Sequence, residues 1–297
     1  MTKVLVLGGT RFFGKRLVER LLQDEQCEVT IVTRGLTPDS FGGRITRLEA
    51  DRTDAGSLSA ALGKGEWDVV YDNICFSPNE ALEASKILAG RVQKYILTSS
   101  LSVYDFNPHA LTENMFDPYT YPLQYGDAGD FSYQEGKRLG EAVFMQEAAF
   151  PVSAVRFPIV LGEDDYTRRL HFHIEHVRQG VPIGIPNPQA LISFIRSDEA
   201  ADFLYWLGQS DLTGPVNACS DGTAAIGDVI SIIEEITGHK AKIVAETDEK
   251  DMSPFGIPES WYMDTTKARL AGCRFLSLAE WLPELVRTLN AAYEHKA

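Results

Sequence analysis

Short β-branched runs alternate with stretches of helical periodicity through the first half of the chain. Residues 3–7, 28–32, 44–49, 68–74 and 94–98 have the length and composition of strands. Between them, Phe13, Leu17, Val18, Leu21 and Leu22 recur at the spacing of one helix face. Leu58, Ala61 and Leu62 do the same, followed by Ala81, Leu82, Ser85 and Leu88. Strand and helix in strict alternation predict a parallel sheet covered by helices. From 105 to 132 the texture changes to a Pro, Tyr and Asp-rich loop, which at that length reads as a lid or binding loop. A helix over 133–149 and a strand over 152–156 then rejoin the sheet. Beyond Gly162 the elements are shorter, with Pro182, Pro186 and Pro188 close together, as in a smaller second domain.

Composition narrows the class. The 297 residues allow one large domain or two ordinary ones, with ample core. Asp and Glu number 42 against 28 Lys and Arg, a net charge of -14. A surface of that sign repels phosphate backbones and anionic membranes, so nucleic acid is disfavoured as the main partner. Cys27, Cys75, Cys219 and Cys273 are scattered without a CxxC pair, which reads as free thiols in a reducing compartment. No apolar run approaches the roughly 20 residues of a membrane span. Met1 leads straight into a strand, and the expected location is the cytoplasm.

Candidate chemistry begins right after the first strand. Gly8, Gly9, Thr10, Arg11, Phe12, Phe13 and Gly14 form a glycine-rich turn that opens a helix. Such a turn presents backbone N–H groups and the positive end of the helix to a pyrophosphate. No acid precedes Glu19, whereas Lys3, Arg11, Lys15 and Arg16 do, so the entrance is expected to be locally positive. Arg11 stands where the middle glycine of the usual spacing belongs. It must either swing outward as a ligand or cost the loop its close approach to the cofactor. The second strand ends in Thr33 and Arg34, not in the acid that holds NAD ribose hydroxyls. A guanidinium there suits a 2'-phosphate, so NADP is expected over NAD, with Arg11 and Arg34 flanking the extra phosphate.

Tyr133 and Lys137 lie four apart at the start of a helix and share a face. An ammonium beside a phenol favours the phenolate, which makes Tyr133 a candidate acid or base. The fifth strand ends in Thr98, Ser99, Ser100, Leu101 and Ser102, which puts hydroxyls on the carboxyl edge of the sheet, where α/β folds bind ligands. Three histidines, His171, His173 and His176, suggest a metal cluster, but 171 and 173 point to different helix faces. They read instead as helix-surface or substrate-side polar residues. Arg168 or Arg169 is a candidate for binding an anionic substrate.

With these residues in hand, the chain resembles the extended short-chain dehydrogenase/reductases, also called the NAD-dependent epimerase/dehydratase family. The resemblance runs through the Gly8 to Gly14 loop, Asp51, the run from Ser99 to Tyr104, Tyr133 with Lys137 and Glu141, and Arg156-Phe157-Pro158. It continues through Phe194 to Ala201, Gly214 to Asn217, and Asp264 to Ala268. It implies a Rossmann-type doubly wound α/β sheet, with a dinucleotide-binding domain over 1–158 and a smaller substrate domain over 159–297. The segment near 191–207 would return to the first domain. It also implies Tyr133 as acid/base, Lys137 on the nicotinamide ribose, and Ser100 on the substrate hydroxyl. Asp51 and Arg52 would lie near adenine, and Phe12, Phe13, Asn73, Phe157 and Pro158 would line the cofactor cleft. A homodimer is common among such proteins.

Departures sharpen the expectation. Leu101 and Ser102 stand where family dehydratases carry an Asp-Glu pair, which argues against 4,6-dehydration. The GGTRFFG loop looks like that of an atypical subgroup that includes plant plastid proteins described as RNA-binding. Those relatives often lack the Tyr and Lys pair, which this chain keeps. The expected activity is an NAD(P)-dependent oxidoreductase or epimerase on a sugar-like hydroxyl or keto substrate, free or nucleotide-linked. The alternative is a non-catalytic NADP-sensing or RNA-binding protein on the same fold.

Overall fold

The computed structural model describes residues 1–294; residues 295–297 of the expected C-terminal domain lie outside the described residues. Strands and helices alternate as β1 (Thr2–Leu7), α1 (Phe12–Leu21), β2 (Cys27–Thr33), β3 (Thr46–Glu49), α2 (Ala55–Leu62) and β4 (Trp67–Asp72). There follow α3 (Pro78–Ile87), β5 (Val92–Ser100), α4 (Tyr133–Glu147) and β6 (Val152–Phe157). Next come β7 (Ile159–Leu161), α5 (Arg169–Gln179), β8 (Pro182–Gly184), β9 (Leu191–Ile192), β10 (Phe194–Arg196), α6 (Ser197–Gln209) and β11 (Gly214–Asn217). The chain ends with β12 (Ala224–Ala225), α7 (Ile226–Thr237), β13 (Lys242–Val244), α8 (Thr266–Leu270) and α9 (Leu278–Glu294).

Seven strands form the central sheet in the order β11-β6-β5-β4-β1-β2-β3, every neighbour parallel. This is the Rossmann-type doubly wound α/β fold. The order reverses between β1 and β4, which opens a crevice at their carboxyl ends. Alternation along β1 shows why both faces are covered: Val4 and Val6 join one core with α1 and α6, while Leu5 and Leu7 join another with α2, α3 and α4. A third core, around Ile174, Ile230 and Trp281, unites α5, α7 and α9. No helix among the described residues is long and apolar enough to cross a membrane.

Two expectations change. The strand expected over 44–49 starts only at Thr46, because Gly42–Arg44 forms a 3-10 turn with Gly42 at φ 62. The loop over 105–132 does not itself line the clefts along the glycine turn and Tyr133, but its Phe106 ring packs on Trp261, which does (5.1 Å between ring centres). It is strapped to the core by Arg156, whose guanidinium donates to Glu113 O at 2.9 Å and Phe116 O at 3.1 Å. That guanidinium, fully buried, is neutralised by Glu141 (Nη2 to Oε2, 2.6 Å).

The histidines also depart from expectation. His173 is a core residue: its Nδ1–H donates to Arg169 O (2.8 Å), and its Nε2 accepts from Ser253 Oγ (2.7 Å). Burial pushes its pKa down to about 4 from 6.5. As pH falls through 6.5 toward about 4, the unfolded chain takes up a proton that the folded chain refuses. Stability carried by neutral His173, on the order of 3 kcal/mol, is therefore present above pH 6.5 and lost across that window. In urea unfolding between pH 7 and 4, His173→Gln should flatten the slope; an unchanged slope would show that other groups set it.

Candidate active site

The turn after β1 is built from close backbone approaches. Gly8 adopts φ 81, and a Cβ on Gly14 would lie 2.4 Å from Gly8 O. A Cβ on Gly9 would lie 2.8 Å from Val18 Cγ2. The side chains are missing where α1 must start flush against the sheet edge. Phe12 enters the helix at φ 49, a left-handed conformation that is rare for a bulky residue. Asn73, just past β4, donates to Gly8 O (3.5 Å) and accepts from Thr98 Oγ1 (2.7 Å), which ties the turn to β5.

Arg11 resolves its ambiguity by swinging outward. Its Nε donates to Thr37 Oγ1 (3.2 Å), and its guanidinium lies 5.8 Å from the Tyr166 ring centre. Arg11 and Arg34 thus line one cavity of about 460 Å³ with Gly8, Thr10, Gly14, Asp51, Arg52 and Asn73. The positive entrance is smaller than its residues suggested, because Lys15 pairs with Glu19 (3.6 Å) and Arg16 with Asp164 (2.9 Å). Asp51 is held below the usual carboxylate range by side-chain and backbone hydrogen bonds from Thr53, with a smaller contribution from Arg34. The Arg52 guanidinium is largely occupied: it pairs with buried Asp72 and donates to Glu80 O at 2.9 Å.

A second cavity of about 750 Å³ continues past shared walls at Phe12, Phe13, Asn73, Phe76 and Tyr166. Tyr133, Lys137, Ser100, Phe157 and Pro158 line it. α4 reaches this cleft because Gly136 faces Phe76 O, where a Cβ would stand at 2.7 Å. That approach lets Lys137, one turn from Tyr133, donate through Nζ to Cys75 O (2.7 Å) and Thr98 O (3.0 Å). The ammonium is buried, 4.4 Å from the Phe76 ring centre and 5.9 Å from that of Tyr133, whereas the Tyr133 ring is exposed.

The serines of β5 divide their work. Ser99 Oγ donates to Glu141 inside the core, whereas Ser100 faces the cleft and accepts at Oγ from Ser102 N (3.1 Å). The Ser100 hydroxyl hydrogen is thereby left for another acceptor. Sequence reasoning missed Phe76, Tyr166, Phe255 and Trp261, all of which line the cleft. Phe255 and Trp261 sit in an irregular stretch with no periodicity that could have marked them. Burial pushes the Cys75 thiol up to about 12, so it is inert despite its place beside Lys137.

With this geometry described, comparison with known proteins places the chain among relatives. The chloroplast stem-loop binding protein of 41 kDa b of Arabidopsis thaliana is 30% identical over 226 residues, 69% of this chain and 55% of its own length. This chain therefore spans about half the length of that relative. UDP-glucuronic acid decarboxylase 6 of the same plant is 24% identical over 268 residues, 79% of this chain and 74% of that protein. Among solved structures, the UDP-glucuronic acid 4-epimerase of Bacillus cereus in complex with NAD matches with a TM-score of 0.73 and 18% identity. The match covers 97% of this chain and 99% of that one, a likeness of fold. The family profile described as the NAD dependent epimerase/dehydratase family matches residues 4–218. The chain belongs to the NAD dependent epimerase/dehydratase family, within the extended short-chain dehydrogenase/reductases.

Proposed function

We propose that the protein is an NAD(P)-dependent oxidoreductase or epimerase acting on a hydroxyl or keto group of a sugar-like substrate, free or nucleotide-linked. The observation that carries this reading is the buried Lys137 ammonium, fixed by two carbonyls beside exposed Tyr133, in a cleft continuous with the glycine turn. The turn fits a dinucleotide, since Gly8, Gly9 and Gly14 leave a cradle that any Cβ would fill. Residues 1–158 would carry the dinucleotide and 159–297 mainly the substrate. Near 191–207 the chain would rejoin the first part, which the packing of α6 on α1 supports.

The bound dinucleotide would supply hydride transfer. This chain's residues would handle the proton and the geometry. Ser100 donates its free hydroxyl hydrogen to the substrate oxygen and orients it. Tyr133 takes the proton from that oxygen during oxidation and returns it during reduction. Lys137, its ammonium fixed by two backbone carbonyls, would hold the ribose hydroxyls of the dinucleotide beside Tyr133. Asn73 holds the turn and the strand end at fixed spacing.

We read the cofactor as NADP, although the solved epimerase above holds NAD. Support comes from Thr33 at the end of β2 and from Arg11 and Arg34 on one cavity wall. A second reading, stem-loop RNA binding, is favoured only by the description of one relative. It requires salt-sensitive RNA retention in filter-binding titrations at two ionic strengths, despite the net charge of -14.

Two outcomes check the enzymatic reading. Tyr133→Phe should lower turnover by about 10²–10⁴ while cofactor affinity stays unchanged; full activity in that variant would remove Tyr133 from the chemistry. Arg34→Asp should shift the NADP to NAD affinity ratio toward NAD by at least about tenfold, the loss expected for a charge-assisted pair. A ratio that does not move would count against the 2'-phosphate contact.

A further inference from the structure

We propose that Arg169 anchors a single anionic group of the substrate, a carboxylate or a phosphate monoester, and that the substrate is a small molecule and not a nucleoside diphosphate conjugate. This rests on the oxidoreductase reading above and narrows its substrate class.

Arg169 opens α5 and lines the cleft that holds Ser100 and Tyr133. Its placement is built into the backbone. Buried Asp165 accepts from Thr167 N (2.9 Å) and from Arg169 N (3.3 Å), and Arg168 takes φ 55 between them. That turn sends the two arginines apart. Arg168 pairs with Glu175 and lies outside the cleft. Arg169 is half-buried, and its Nε donates to Thr167 Oγ1 (3.0 Å). Among the described residues, no carboxylate pairs with it, and none lines this cleft, in a chain with 14 more acids than bases. Apart from Lys137, which two carbonyls hold, it is the one cation on the cleft wall among the described residues. A guanidinium with an unused fork favours one carboxylate or phosphate.

The apolar lining limits what else can bind. It includes Ile192, Phe255 and Ile257, and Phe255 stacks on His173, one turn along α5 from Arg169. Two charged phosphates would need more than one cation, and beyond Arg169 and carbonyl-bound Lys137 the cleft lining among the described residues offers only neutral donors, which leaves the second charge unpaired at a large cost. A ligand with one anion and an apolar or ring face matches this lining. Two buried donors along the same cleft, Ser102 Oγ and Trp261 Nε1, have no hydrogen-bond acceptor among the described residues. Buried polar atoms are rarely left so, and substrate oxygens are the kind of acceptor both lack.

Calorimetry on protein saturated with NADP+ tests this, with gluconate, glucose 6-phosphate and UDP as probes against wild type and Arg169→Gln. At least one of the two small anions should bind wild type, lose at least about tenfold in affinity in Arg169→Gln, and regain part of it in Arg169→Lys. UDP should bind more weakly than that anion, and the substitution should leave its affinity unchanged. Gluconate against glucose 6-phosphate tells carboxylate from phosphate. The proposal is overturned if UDP binds best, if neither small anion binds, or if Arg169→Gln changes nothing. Should NADP+ fail to bind, NAD+ takes its place in the titrations; should neither bind, the oxidoreductase reading falls, and the same titrations on unloaded protein decide the anion site separately.

Discussion

The structure depends on one close backbone approach, that of the first helix to the carboxyl edge of the first strand. Gly14 has no Cβ where one would stand 2.4 Å from Gly8 O, and Gly8 turns the chain at φ 81. These two conditions place the start of α1, with its unpaired N–H groups, over the crevice where the strand order reverses. Asn73 carries the constraint sideways, bridging Gly8 O and Thr98 Oγ1. Because Thr98 O also receives Lys137 Nζ, the glycine turn and α4 share one frame. A shift in any of these contacts moves the others.

Buried charge serves the same frame from beneath. Arg156 is neutralised by Glu141, which also accepts from Ser99, the neighbour of cleft-facing Ser100. The same guanidinium holds the loop after β5 through Glu113 O and Phe116 O. Removing either partner would leave a buried charge unmatched, which commonly costs about 3–5 kcal/mol. The pair therefore fixes α4, β5 and β6 relative to one another from outside the cleft lining.

Much of this was legible in the sequence because it rests on local chemistry. Alternating strand and helix periods revealed the parallel sheet, and glycines at the first turn revealed the cradle. The four-residue spacing of Tyr133 and Lys137 put both on one helix face, and the structure brings them to one cleft with Ser100. What could not be read depends on long-range partners. Arg156 straps the 105–132 segment to the core through contacts about 40 residues apart. Nothing near His173 announced that Ser253 and Phe255 would enclose it. The cleft-lining residues Phe255, Ile257 and Trp261 lie in an irregular stretch whose apolar residues follow neither helical nor strand period. The outward turn of Arg11 likewise rests on Thr37 and Tyr166, which lie outside the glycine loop.

The most direct test is uptake of pyridine nucleotide by the folded protein, with a one-atom obstruction as its control. Isothermal titration should show saturable binding of NADP+ or NAD+ by wild type, and loss of that binding in Gly14→Ala, whose added methyl must displace Gly8 O. Gly43→Ala, where a Cβ would meet nothing within 4 Å, should bind as wild type does. Absence of uptake by wild type, or undiminished uptake by folded Gly14→Ala, would contradict the account.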